Sequence, residues 1–129
     1  MAIKEFTYRG KTLDELKTLD VREFAKLAPS RARRTILRNF QEIEDFIARS
    51  KKKQSNKKQI KTHTRTLVVV PQMIGMKVGV YNGREFIFTE IISEMLGYKF
   101  GEFSLSRTKV KHGSAGVGAT KGSNAKAKH

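Results

Sequence analysis

The sequence contains no cysteine. Neither a disulfide framework nor a thiolate metal site is available to it, and a reducing cytoplasm fits. Long apolar runs are missing as well: the longest, LVVVPQMIGMKVGV at 67–80, carries Pro71, Gln72 and Lys77 and is excluded as a membrane span. The opening MAIKEFTYRGK has no apolar signal-peptide core, so a soluble, unexported protein is expected. Hydrophobic residues make up only 38% of the 129 positions, which leaves room for one domain with appended arms but not for a full-sized core.

The most informative shortage is of acids. Between Asp45 and Glu85 there is no acidic residue but ten basic ones, and after Glu102 there is again none, against six basic. The remainder is nearly balanced, so the whole formal charge of +15 arises in these two segments. An isolated lysine run is often a solvated linker. Two that bracket the most apolar part of the chain imply a polyanionic partner. A membrane surface would require a basic helix with bulky apolar anchors, and KKKQSNKKQIK offers one isoleucine. Nucleic acid is the expected partner.

What is present reads as helices first. Thr12 with Glu15, and Asp20 with Glu23, have capping-box spacing, predicting short helices over 13–18 and 21–28. Pro29 stops the second, and Ser30 can cap a third running to about Ser50, with Ile36, Phe40, Ile43 and Ile47 on one face. Arg31, Arg33 and Arg34 place positive charge at that helix's N-terminus, where the dipole disfavours it and bound phosphates would relieve it, so a weaker RNA contact is assigned to them.

The middle reads as β: a covered strand in TLVVV at 66–70 ended by Pro71, then strands near 77–81 and 84–89 around Asn82-Gly83, a two-residue hairpin signal whose turn residues both take positive φ. A helical turn near Ser93–Leu96 closes at Gly97. Beyond Phe103 there is no aromatic residue and little apolar material, so an extended arm is expected, ordered only against a partner.

That arm contains GSAGVGATKGS at 113–123, which superficially resembles a nucleotide phosphate loop. Gly113 and Gly118 have the required separation and Thr120 stands at the hydroxyl position, but Ala119 stands where the lysine belongs, and Lys121 occupies the last glycine of the dinucleotide pattern. The glycines are better used to pass backbone close to RNA, with Lys121 as a counter-ion. None of the three histidines, His63, His112 and His129, has metal-ligand spacing to a second strong ligand. Glu90 and Glu94 are more simply acids at a helix start than a catalytic pair. No enzyme, metal or cofactor is expected.

At NGREFIFTEIISEMLGYKFGEFSLS, residues 82–106, the chain resembles the family of the small-ribosomal-subunit protein numbered nineteen, through Asn82-Gly83-Arg84, Ile91, Leu96-Gly97, Phe100-Gly101-Glu102-Phe103 and Ser106. KTHTR at 61–65, VVVP at 68–71, VKHGSAGVGAT at 110–120 and FTYRG at 6–10 are similar to its archaeal and eukaryotic branch, so the likeness covers nearly the whole chain. Tyr98 departs from it, standing where the family usually has histidine. The resemblance implies an α+β fold with a three-stranded antiparallel sheet, and binding to small-subunit rRNA in the subunit head. It further implies a neighbouring head protein, the one numbered thirteen, and an arm directed toward the decoding region, tRNA and large-subunit bridge elements.

The expected organisation is a helical region at 1–50, a basic linker at 51–61, an α+β rRNA-binding core at 62–103 and a basic tail at 104–129. The first RNA-facing group is Lys51, Lys52, Lys53, Lys57, Lys58, Lys61, His63 and Arg65. Gly101 at the sheet's end, with Arg107, Lys109, Lys111 and His112, forms the second, and Lys121 the third. Aromatic residues fall mostly in the helical and β parts and are assigned to the core, which favours recognition of folded RNA shape over exposed bases. The rival is a nonribosomal basic chaperone of RNA or condenser of DNA.

Overall fold

The computed structural model describes residues 4–111 and residue 113. Four helices precede a three-stranded sheet: α1 (Leu13–Thr18), α2 (Val21–Leu27), α3 (Ser30–Arg38) and α4 (Phe40–Ser55), then β3 (Ile60–Thr62), β4 (Lys77–Tyr81) and β5 (Phe86–Glu90). A two-stranded ribbon, β1 (Thr7–Tyr8) with β2 (Lys11–Thr12), lies before α1. The fold is α+β, as expected.

Local chemistry explains the first two helix starts, whereas Ser30, expected to cap the third, is that helix's first residue with Pro29 at the cap position. The backbone N–H of Thr12 donates to Glu15 Oε2 at 3.0 Å, and that of Asp20 to Glu23 Oε2 at 3.2 Å, so both boxes form and open α1 and α2. The third helix is not continuous to Ser50. Asn39 leaves helical geometry with φ −107° and ψ 25°, dividing the segment into α3 and α4. Apolar spacing passes through this break in register, so periodicity carried no trace of it. α4 buries Ile43, Phe46, Ile47 and Ser50, and it runs on to Ser55, making Lys51, Lys52 and Lys53 helical.

The expected strand at 66–70 is a correction. Leu67 to Val70 are all buried, as a covered segment should be, yet they make only an isolated bridge, Val68 with Lys99. Leu67 and Val69 bond to residues 97–100: the Val69 N–H donates to the Tyr98 carbonyl at 2.8 Å and the Phe100 N–H to the Leu67 carbonyl at 3.0 Å. The third strand is β3, and it pairs parallel to β4, while β5 pairs antiparallel to it. The sheet is therefore mixed, not purely antiparallel. Residues 63–76 between β3 and β4 form the long crossover that a parallel pair needs.

The hairpin turn is also corrected. Asn82 to Glu85 form a four-residue loop in which only Gly83, at φ 103°, is left-handed. The Asn82 side-chain oxygen accepts from the N–H groups of Arg84 and Glu85, both at 2.9 Å, so asparagine acts here through its side chain. The two-residue turn with both φ positive occurs instead at Arg9-Gly10, between β1 and β2.

One core joins these parts. Leu16, Phe24, Ile36 and Ile43 from the helices, Val68 to Val70 and Met73 from the crossover, and Val78, Val80 and Phe100 beside or within the sheet are buried together. The Phe46 ring meets Phe100 edge-on at 5.4 Å, tying α4 to the sheet side. At Gly97, φ is 81° and the place a Cβ would occupy lies 3.1 Å from Tyr8 Oη, so the turn both needs glycine and seats the N-terminal ribbon. Gly97→Ala is expected to cost about 1–2 kcal/mol, the penalty of a left-handed L-residue, measured as a lowered denaturation midpoint.

Candidate nucleic-acid interface

Strand register decides which side chains face outward. Lys61 pairs with Gly79, and across β4–β5 Lys77 pairs with Glu90, Gly79 with Phe88, and Tyr81 with Phe86. Paired residues share a face. Lys61, Lys77, Tyr81, Phe86 and Phe88 therefore stand on the outer face, opposite Ile60, Thr62, Val78 and Val80, which are buried. Glu90, considered above with Glu94, sits opposite Lys77 on this face.

Of the lysines expected in the first group, Lys57 and Lys58 come to this face beside Lys77 and Phe88, while Lys51 lines a separate cleft with Glu44 and Gln72. Lys51, Lys52, Lys57 and Lys58 are exposed and Lys53 is half-buried. Lys51, Lys52 and Lys53 lie near the end of α4, where positive charge also complements the helix dipole, and Lys57 and Lys58 follow it. Lys57 has φ 54°, turning the chain from α4 toward β3. A cleft of about 410 Å³ results, lined by Gln54, Lys57, Lys58, Ile60, Lys77 and Phe88 among others. Lys61 Nζ lies 5.3 Å from the Phe86 ring centre and 5.9 Å from that of Phe88. Exposed His63 packs on Tyr81 at 4.6 Å and on Phe86 at 5.1 Å, so it belongs to the same surface.

Other expected site residues are placed differently. Arg65 turns inward: its guanidinium donates to the Tyr81 carbonyl at 2.7 Å, to the Gly101 carbonyl at 3.0 Å and to the Ser104 carbonyl. Gly101 packs against it, since a Cβ there would stand 3.2 Å from the Arg65 carbonyl oxygen and 3.3 Å from its Cβ. Absence of a side chain at 101 thus serves a close backbone approach. The buried Ser104 hydroxyl donates to the Val80 carbonyl at 3.2 Å. Together Arg65 and Ser104 tie the end of the 3₁₀ turn Phe100–Phe103 to the end of β4.

Past that point Arg107, Lys109 and Lys111 are exposed and without regular structure. His112 and Lys121 lie outside the described residues. On α3, Arg31, Arg33 and Arg34 are all exposed, and Arg33 in addition donates to the carbonyls of Ala25, Lys26 and Ala28, closing the C-terminus of α2. The three arginines share one exposed surface, to which Arg33 adds an architectural bond set. Tyr98 is 52% exposed, with its ring 6.1 Å from Phe103.

Reading residues along the chain missed Lys77 as part of this surface and misplaced the aromatics. Tyr81 and Phe86 are half-buried and Phe88 is exposed, so these rings are not core. The available signal was alternation: in FIFTE the residues at 86, 88 and 90 share a face with a glutamate, which marks that face as the wetter one.

A family model described as Ribosomal protein S19 matches residues 24–112. Among curated proteins, small ribosomal subunit protein uS19 of Methanococcoides burtonii is 43% identical over 119 residues, covering 92% of this chain and 85% of its own. The protein of the same name from Saccharolobus solfataricus is 43% identical over 124 residues, covering 93% and 89% respectively.

Proposed function

The chain belongs to the ribosomal protein S19 family, and on that premise we propose that it is a structural component of the small ribosomal subunit that binds small-subunit rRNA. The observation that carries this reading is the gathering of Lys57, Lys58 and Lys77 around one cleft at the sheet, with Lys61 over the neighbouring Phe86 and Phe88 rings. Flexible lysines alone would bind any polyanion. Lysines set on a sheet hold a fixed spacing and so favour one arrangement of phosphates.

Within this reading the protein sits in the subunit head beside the protein numbered thirteen. Its C-terminal arm extends toward the decoding region, tRNA and large-subunit bridge elements. The clamp of Arg65 and Ser104 gives the arm a defined origin on the sheet. Lys51, Lys52, Lys53, Lys57, Lys58, Lys61 and His63 form the first RNA-facing group. Arg107, Lys109, Lys111, His112 and Lys121 serve along the arm, and Arg31 and Arg34 make a lesser contact from α3. Arg65 and Gly101 contribute by shaping the sheet end.

Sedimentation of cell lysate, probed for this chain, tests the reading. It is expected to travel with small subunits and to remain with them through a moderate salt wash. A variant lacking 82–85, which removes the hairpin loop but not the lysines, is expected to leave that fraction. A chain found only at the top of the gradient, or one that stays on any nucleic acid after the hairpin is removed, would instead mark a nonribosomal condensing or chaperoning protein.

A further inference from the structure

Phe88 is 36% exposed on a sheet face that also carries Lys61, Lys77 and Glu90, and its position is not accidental to the strand. Its cross-strand partner is Gly79, and three atoms of the Phe88 ring lie within 3.1 Å of the place a Cβ of residue 79 would take. The ring thus lies over the glycine instead of standing beside a neighbouring side chain. One side of it is covered by backbone, and the ring also lines the cleft that holds Lys57, Lys58 and Lys77. Next to it Phe86, Tyr81 and His63 form a contiguous set of rings, with centre-to-centre distances of 4.6 to 5.1 Å.

We propose that this face is a stacking platform: an unpaired RNA base lies on Phe88, and the phosphates flanking it are held by Lys57, Lys58 and Lys77. This rests on the RNA-binding reading and narrows it to a nucleotide outside a duplex. Electrostatics select the occupant. An apolar side chain of a protein partner would satisfy the ring but bring no counter-charge to Lys57 and Lys58, since the one glutamate on this face, Glu90, stands opposite Lys77, whereas a nucleotide satisfies both. The platform is set by backbone pairing before any ligand arrives, so little ordering remains to be done on binding. Lys61, over Phe86 and Phe88, can swing from ring to phosphate as the base enters.

The test uses the full chain and two RNA probes of equal length: a hairpin with one 2-aminopurine in its loop, and a fully paired duplex containing the same analogue. The hairpin is expected to bind about tenfold more tightly, with its emission quenched on binding. Phe88→Leu, which keeps apolar cover over Gly79, is expected to abolish both the preference and the quench while duplex affinity stays the same. If the unaltered chain shows no preference, or F88L retains it, stacking is refuted and charge-driven RNA binding stands. If neither probe binds even in dilute salt, the RNA-binding reading itself is refuted. A photoreactive phenylalanine analogue at 88, in assembled small subunits, should crosslink to rRNA; crosslinking to a protein neighbour would assign the face to that neighbour and overturn the proposal.

Discussion

Arg65→Ala is expected to lower folding stability by about 3 kcal/mol, read from the midpoint of a urea titration followed by far-UV circular dichroism. The guanidinium serves carbonyls of Tyr81, Gly101 and Ser104, which come from the end of β4, a 3₁₀ turn and the start of the arm. A hydrogen bond to a charged group contributes about 1.5–3 kcal/mol, but three that share one group do not add. Arg65 is also partly solvent-accessible, which reduces the figure below their sum. Arg65→Lys keeps the charge and loses the planar fork, so it should recover less than half of the loss. Hydrogen exchange at Ser104 and Leu105 should quicken in both variants, because the arm loses its anchorage. A midpoint unmoved in R65A would show that the clamp is ornamental and that Arg65 is free to act on RNA after all.

The second large effect is on RNA affinity. With about ten phosphates neutralised, binding to a small-subunit rRNA fragment is expected to weaken by about four decades between roughly 50 and 200 mM salt, through loss of the counterion-release term. Replacing Lys57, Lys58, Lys61 and Lys77 together by alanine should flatten the slope of log affinity against log salt by about three, at 0.7–0.9 per phosphate contact. These lysines are exposed, so their removal should leave the denaturation midpoint near that of the unaltered chain. Fluorescence anisotropy at four salt concentrations measures the slope. If the quadruple variant keeps the original slope, the cleft is not where the phosphates lie.

These two residue sets illustrate how far a linear reading reaches. The lysine-rich run at 51–61 is conspicuous because charge is a property of each residue, visible without knowing where it lies. Capping boxes at Thr12 and Asp20 are equally local, spanning three residues, and both form. Arg65 looked like one more member of the basic run. Its partners stand 16, 36 and 39 residues away along the chain, and no pattern near position 65 announces them. Arg33 reads the same way until α2 is seen to end against it. The aromatic residues show the converse limit, since a phenylalanine in a strand is core or surface according to which face is covered, and only the packed helices decide that.

The amino-acid order by itself determined the acid-free basic segments, the α+β character, the starts of α1 and α2 and the membership implied by the 82–106 motif, because each depends on composition or on spacing of a few residues. Tertiary structure alone decided that β3 joins the sheet in parallel, that Leu67 to Val70 are buried without being a strand, that Arg65 faces inward and that Phe88 faces out. The physical reason is one of range. Caps, turns and charge act over single turns of backbone, whereas strand partners and covered faces are chosen by competition among distant segments for the same hydrogen bonds and the same dry surface.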